Sequence, residues 1–285
     1  MLAPRVDNRP FFAPLLLALI ALAWLSLIVW DESPYGRFLH HDELANVDTG
    51  LNWDTAGLIS VFVIGWTVMT FAMMLPTSLP LLSMFRKMTQ RRADKGLLLA
   101  LVVVGYVAIW AAFGLAAHIG DAGLHTAVNQ FHWLEDNSYF IGAGTLVLAG
   151  AYQFTPLKYM CLDKCRSPLS FITQHWSGGN ERWQALKLGV HHGIFCVGCC
   201  WSLMLLMFAV GVGNIGVMML LGGVMAVEKN MPWGRKLSAP LGVLLLVAGG
   251  ALIMLGGPDA CADRTRLTSS RRVEPDDSAK MNAIP

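Results

Sequence analysis

The sequence predicts an all-α protein, a polytopic helical membrane bundle of about seven transmembrane helices. Hydrophobic residues make up 55% of the 285 residues and charged residues only 14%, whereas an ordinary soluble domain has roughly 25% charged residues. The apolar residues are concentrated in seven stretches, most of them close to the roughly 20 residues that a spanning helix needs. Basic residues lie in alternate loops between these stretches, as in multi-pass membrane proteins.

The predicted spans occupy residues 11–30, 56–75, 97–117, 138–157, 188–210, 214–227 and 239–255. The first is longer than the roughly 7–15 residues of a signal-peptide core and no A-x-A site follows it, so we predict an uncleaved helix. Pro76 and Pro80 are expected to break or kink the second span near the inner surface. The sixth span is short unless it continues through Glu228.

Loop charges orient the bundle. Basic residues crowd the loops after the second, fourth and sixth spans, whereas the loop after the third span, residues 118–137, contains no Lys or Arg. Because positively charged loops stay in the cytoplasm, we predict a multi-pass protein of the inner cell membrane with the N-terminus inside and the C-terminus outside. The predicted regions are a cytoplasmic N-terminus (residues 1–10), a helical membrane domain (11–257) and a polar, disordered tail (258–285).

The fifth span contains the segment HHGIFCVGCCW, residues 191–201. On a helix with 100° per residue, a sector of roughly 100° holds four ligand residues: His192, Cys196, Cys199 and Cys200. Thiolates and imidazole bind soft or borderline ions such as copper(I) and zinc. A lone buried cysteine is usually a small hydrophobe, but three cysteines within five residues, one turn from a histidine, favour a metal site.

A second pair, Cys161 and Cys165, lies four residues apart on the predicted continuation of the fourth helix and so shares a face. The reducing cytoplasm keeps such thiols free, and neighbouring basic residues favour the thiolate. Lys187 marks the inner surface, so Cys196 lies on the order of 13 Å deeper, whereas Cys161 lies at or outside that surface. The two clusters form either one site, if the fourth loop folds back into the bundle, or two successive sites. For Cys161 and Cys165 a solvated loop turn is the alternative.

Met69 and Met73 share a face of the second span and form a candidate copper path, although methionine also fills gaps in apolar cores. Glu228 is a further candidate metal ligand, because an acidic side chain inside a membrane boundary is costly and is usually functional. Its alternative is an ion pair with the neighbouring Lys229.

Three histidines recur every seven residues on the predicted outer side: His118, His125 and His132. On a helix they form a stripe, and imidazole binds copper, zinc or nickel. They are therefore a candidate outer metal site, with solvated loop histidines as the alternative.

These segments resemble a bacterial family of predicted metal-binding integral membrane proteins, catalogued mainly as a domain of unknown function. The resemblance covers about residues 56–256, and its most specific element is HHGIFCVGCCWSLM at 191–204. Its other elements are MTFAMMLP ending at Pro76, PLKYMCLDKCRSP at 156–168 and the EK pair at 228 and 229. The resemblance implies metal binding, and it names no substrate and no mechanism.

The favoured hypothesis is a protein of the lipid bilayer that handles a soft metal, copper first and zinc second. It acts as a transporter or as a chaperone that exchanges the ion with a metalloprotein or another metal chaperone. The alternative is a membrane thiol or quinone oxidoreductase in which Cys196, Cys199 and Cys200 cycle between dithiol and disulfide. Haem ligation by His191 or His192 lacks a second membrane histidine, and a structural subunit with incidental thiols is the simplest alternative.

The sequence excludes other classes of function. The net charge is only +2, and no basic patch interleaved with aromatic residues supports nucleic-acid binding. No phosphate-binding loop, dinucleotide fingerprint or hydrolase nucleophile motif is present. We therefore name no catalytic residue and expect that the protein is not an enzyme.

Overall fold

The computed structural model describes residues 18, 20–29, 53–130, 137, 139–176, 179–210 and 215–255. Within these ranges the regular structure is helical and contains no strand, as predicted. The helices are α1 (Ile20–Val29), α2 (Trp53–Met73), α3 (Leu75–Thr89), α4 (Lys95–Gln130), α5 (Tyr139–Tyr152), α6 (Pro156–Arg166), α7 (Pro168–His175), α8 (Glu181–Val210), α9 (Ile215–Asn230) and, after a 3₁₀ turn (Gly234–Leu237), α10 (Ser238–Leu255).

Three helical segments in the described part of the chain are long and apolar enough to cross a membrane: Lys95–Leu124, Glu181–Met207 and Gly234–Leu255. Two bent pairs raise the number to five if each pair is one span. The α2–α3 pair bends by 67° and the α5–α6 pair by 65°. α9 has 16 residues, and α1 is also short. The described helices thus support up to five spans, and the expected total of seven stays a prediction.

The second predicted span is a broken helix. α2 ends at Met73 and α3 begins at Leu75, so the bend precedes Pro76. Pro76 lies in the first turn of α3, where its missing N–H sacrifices no helical hydrogen bond. Pro80 lies inside α3, which continues to Thr89. The expected interruption near these prolines thus takes the form of one sharp bend at Met74.

Several helices extend past the predicted spans. α4 continues to Gln130, so the first half of the predicted outer loop is helical, and α8 already begins at Glu181. α9 continues through Glu228 to Asn230. The physical reason is that an apolar window marks membrane thickness, whereas a helix ends only where its backbone hydrogen bonds end. The predicted N-terminal region and the predicted polar tail lie outside the described residues.

α8 is the central helix. In the most apolar stretch of α8, 56% of the residues are buried inside the protein, compared with 28% for α4 and 22% for α10. It packs on α4, α5, α6 and α9. A helix surrounded by others in this way can present polar and sulfur-containing side chains to partners on several sides.

Small residues allow α4 and α8 to approach each other closely. Gly189 and Gly193 form a G-x-x-x-G pair on α8, and a Cβ at Gly189 would overlap the Val102 carbonyl of α4. Reciprocally, a Cβ at Gly105 would lie 2.5 Å from the Leu186 carbonyl oxygen. Such glycine pairs are typical of tightly packed helices in membranes.

Ion pairs tie two of the basic loops to neighbouring helices. Arg92 bonds to both Asp94 and Glu181, which joins the α3–α4 loop to the start of α8. The hydrogen bond from Arg92 lowers the pKa of the Asp94 carboxyl. Arg235 pairs with Asp163 at 3.0 Å, which joins the segment after α9 to α6.

The change Gly189→Ala is expected to lower the free energy of unfolding by about 1–3 kcal/mol, because the added methyl meets rigid backbone of α4. Thermal and denaturant unfolding of the detergent-purified chain measure this. The control is Gly250→Ala in α10, where an added Cβ meets nothing within 4 Å and the gain in helix propensity is up to about 1 kcal/mol. Equal stability of the two variants would contradict close α4–α8 packing.

Candidate metal centre

A group of sulfur-containing side chains meets where α6, α8, α9 and the α2–α3 bend converge. We call it the sulfur cluster: Cys161, Cys165, Cys196, Cys199, Cys200 and Met74. Its five cysteines are unbridged. Cys165 is half-buried and the other members are buried, with exposures of 5% or less. The cluster is therefore enclosed in the apolar core.

α8 supplies three of the thiols from one face. The thiols of Cys199 and Cys200 both donate to the Cys196 carbonyl oxygen, at 3.1 and 2.8 Å. The Cys196 Sγ lies 3.1 Å from the Tyr106 hydroxyl. No three His, Cys, Asp or Glu side chains in the described ranges are arranged as a finished metal site. To bind an ion, the thiols of Cys199 and Cys200 must rotate away from this carbonyl and lose their protons.

α6 brings the second cysteine pair to the first. Thr155 caps α6 by accepting from the Lys158 N–H at 3.3 Å, and Pro156 occupies the first turn. Because proline is favoured at the start of a helix and not inside one, α6 starts afresh after the 65° bend and packs on α8. A Cβ at Gly198 would lie 2.7 Å from the Cys161 Sγ, and Cys165 packs against the core that contains Cys199.

This packing brings the two cysteine groups together, and whether they form one metal site or two stays a prediction. Cys161 is only 5% exposed and lies in one apolar core with the α8 cysteines.

The α2–α3 bend brings a thioether to the cluster. The Met74 Sδ lies 3.9 Å from the Cys200 Sγ. The Met74 carbonyl, freed by the bend, accepts from the Thr77 hydroxyl at 2.7 Å and from the Tyr106 hydroxyl at 3.4 Å. A freed carbonyl is tolerated in an apolar bundle where such donors satisfy it.

Sequence reasoning selected Met69 and Met73 and overlooked Met74. Both selected residues are buried in the same core, and Met73 packs beside Gly222. Met74 contacts a thiol, with its Sδ 3.9 Å from the Cys200 Sγ. The break predicted around Pro76 was the signal, because a bend changes which side chains face inward.

His192 reaches the cluster through Tyr106. Its ring stacks on Tyr106 with centroids 5.4 Å apart, and its Nε2 lies 3.1 Å from the Ser78 hydroxyl. Its Nδ1 is buried without a hydrogen-bond partner in the described residues. His191 points elsewhere, with its ring 4.7 Å from that of His175.

Lys229, which the sequence suggested as an ion-pair partner of Glu228, lies beside the sulfur cluster instead. Its side chain is 6% exposed, and its Nζ donates to the Cys196 Sγ at 2.9 Å and to the Thr77 hydroxyl at 3.4 Å. The Cys200 Sγ and the Met74 Sδ follow at 3.8 and 4.0 Å. A cation thus sits among three sulfur atoms.

Glu228 pairs with Lys158 instead of Lys229. The Lys158 Nζ lies 2.9 and 3.0 Å from the two carboxylate oxygens, and the Ser238 hydroxyl donates to one of them at 2.7 Å. Adjacent residues on a helix do not face the same way, so Glu228 and Lys229 find different partners. The carboxylate is taken up by this network, and Arg166 also donates to the Glu228 carbonyl.

The candidate outer metal site is not assembled in the described part of the chain. His118 lies half-buried on α4, and His125 lies one heptad further along the same helix. His132 lies outside the described residues. An outer metal site at these histidines stays a prediction.

Comparison with known families finds a match for most of the chain. The family model PpoB2, described as a copper chaperone, matches residues 63–252, a range that contains every member of the sulfur cluster and Lys229. The description agrees with the metal-related family that the sequence resembles and names copper, with no support for zinc. No curated protein matches the chain, and no solved structure does.

The change Glu228→Gln is expected to lower the free energy of unfolding by about 3–5 kcal/mol, because it leaves the buried Lys158 ammonium without its counter-charge. The double change Lys158→Met with Glu228→Gln is expected to cost less than the sum of the single changes, as measured by denaturant unfolding in detergent. The control is Asp163→Asn, which breaks an exposed pair with Arg235 and should cost at most about 1 kcal/mol. Additive single effects would show that the buried charges do not interact.

Proposed function

The chain belongs to the PpoB2 copper chaperone family, and on that basis we propose that it is a membrane-embedded chaperone that holds copper(I) in the sulfur cluster. The supporting observation is that thiols from α6 and α8 and a thioether from the α2–α3 bend form one buried group. Thiolates and thioethers are the ligands that copper(I) prefers.

The number of sulfur atoms supports ligand exchange. The cluster contains five thiols and one thioether, more than the two or three sulfur ligands with which copper(I) is stable. An ion bound to the α8 cysteines therefore has further thiols within reach on α6. Stepwise exchange between sulfur atoms lets an ion be passed on to a metalloprotein partner without being released as a free ion.

We propose that the protein is a multi-pass protein of a bacterial inner membrane, with seven spans, the N-terminus inside and the C-terminus outside. α10 supports a lipid contact, since Val247, Met254 and Leu255 are 64%, 86% and 76% exposed. The alternation of basic and acidic loops along the sequence supports the orientation, because basic loops stay in the cytoplasm. Cys165 and Arg166 are neighbours on α6, which supports a position of the sulfur cluster in the inner half of the membrane.

Copper transport is the second candidate function, and the helix bends favour it. The α2–α3 bend supplies Met74 and the α5–α6 bend supplies Cys161 and Cys165. Discontinuous helices of this kind often line the binding sites of transporters. Chaperone and transporter share the proposed ion site and differ in whether the ion crosses the membrane.

We expect the intact chain, purified anaerobically in detergent, to bind copper(I) stoichiometrically in competition with a copper(I) chelator. Changing Cys196, Cys199 and Cys200 to serine should weaken binding by more than about 100-fold, since losing second-shell partners of a metal already costs roughly 10–100-fold. Met74→Leu should weaken binding by about tenfold.

The matched control is Met219→Leu on α9, because the Met219 side chain is 60% exposed. It should leave copper affinity unchanged. A wild-type chain without copper, or undiminished binding by the triple serine variant, would exclude the proposed site. A thiol titre that changes with reductant in a copper-free chain would favour the thiol oxidoreductase.

To separate the two roles, the copper(I)-loaded chain is reconstituted in liposomes that contain a copper(I) indicator. We expect transfer to a metal-free copper protein added outside, without a signal inside the vesicles. A protein-dependent signal inside that is lost in the triple serine variant would identify a transporter instead.

A further inference from the structure

We propose that Lys229 is the counter-ion of the copper site. Its ammonium neutralises the net negative charge of the complex that copper(I) forms with the thiolates of Cys196 and Cys200. The inference rests on the proposed copper function and adds a specificity-determining residue to it. It also selects two ligands from the cluster, with the Met74 thioether as a neutral third.

The surroundings of the ammonium support this assignment. An ammonium group has three protons, and four acceptors lie within 4.0 Å of the Lys229 Nζ. Three of them are sulfur atoms, and they come from α8 and from the α2–α3 bend. The lysine therefore lies beside the ligands at the point where an ion would join the helices.

The neighbouring charges leave the Lys229 ammonium available to the sulfur atoms. Glu228 is the adjacent acid, and its carboxylate is already paired with Lys158 at 2.9 Å. That pair is neutral as a whole. The positive charge of Lys229 therefore has the thiol sulfurs of Cys196 and Cys200 as its nearest partners for a developing negative charge.

Charge balance then decides which ion suits the site. Copper(I) with two thiolates has a net charge of −1, after each thiol has given its proton to the solvent, and the ammonium brings the total to zero. A divalent ion with the same two thiolates leaves an excess positive charge. Because an uncompensated charge is costly in an apolar interior, Lys229 should favour monovalent ions.

Silver(I) and mercury(II) test this directly, because both bind two thiolates in a line and they differ by one charge. The change Lys229→Met in the full chain is expected to weaken copper(I) and silver(I) binding on the order of 100-fold, as for removing one partner of a buried charge pair. Mercury(II) affinity should stay unchanged or rise. Lys229→Arg, which keeps the charge, should retain monovalent binding, and Lys236→Met is the control at an exposed lysine.

Equal losses for all three ions would reduce Lys229 to a structural role, and tighter copper(I) binding by Lys229→Met would make it a competitor of the ion. Both results overturn the inference. If Lys229→Met does not fold, Lys229→Gln provides the uncharged variant for the same comparison.

In the wild type, X-ray absorption of bound copper(I) should show two short Cu–S bonds and at most one longer one, and more short bonds would contradict the charge balance. A wild type that binds no copper(I) would instead exclude the proposed function itself.

Discussion

The buried ion pair between Lys158 and Glu228 is the interaction on which the arrangement of the site depends. It ties α6 to α9 in an interior where neither charge can be left alone. α6 carries two cysteines of the sulfur cluster, and α9 carries Lys229. The contact therefore fixes both the thiols and the ammonium beside α8, and the Ser238 hydroxyl connects α10 to the same carboxylate.

Three local features of the chain assemble the cluster around α8. α6 starts at Pro156 after a bend and so packs on α8. The bend at Met74 directs a thioether and a free carbonyl into the core, and Gly198 leaves room for the Cys161 sulfur. Each feature is modest alone. Together they bring ligands from distant parts of the sequence to one buried place, while Tyr106 and Thr77 satisfy the backbone and the ammonium around them.

Much of the helical architecture followed from the composition of the chain. The apolar windows predicted the helical class, and the spacing of Cys196, Cys199 and Cys200 predicted that α8 presents them on one face. The packing of Cys161 against α8 was not predictable in this way, because a 65° bend changes which helices meet without altering hydropathy. The alternative ion pair between Glu228 and Lys229 is not formed, and Glu228 pairs with Lys158 instead. Lys229 is adjacent to Glu228 in sequence but faces another direction on the helix.

The sequence by itself determined which residues have side chains suited to a soft metal and that they lie on helices, because residue type and helical periodicity are local properties. Only the tertiary structure decided that the two cysteine groups form one cluster, that Met74 joins it and that a lysine lies among the sulfur atoms. The physical reason is that buried charges and thiols interact according to their distance and direction in the folded chain. Helix bends and close glycine contacts set those distances and directions, and the periodicity of the sequence does not encode them.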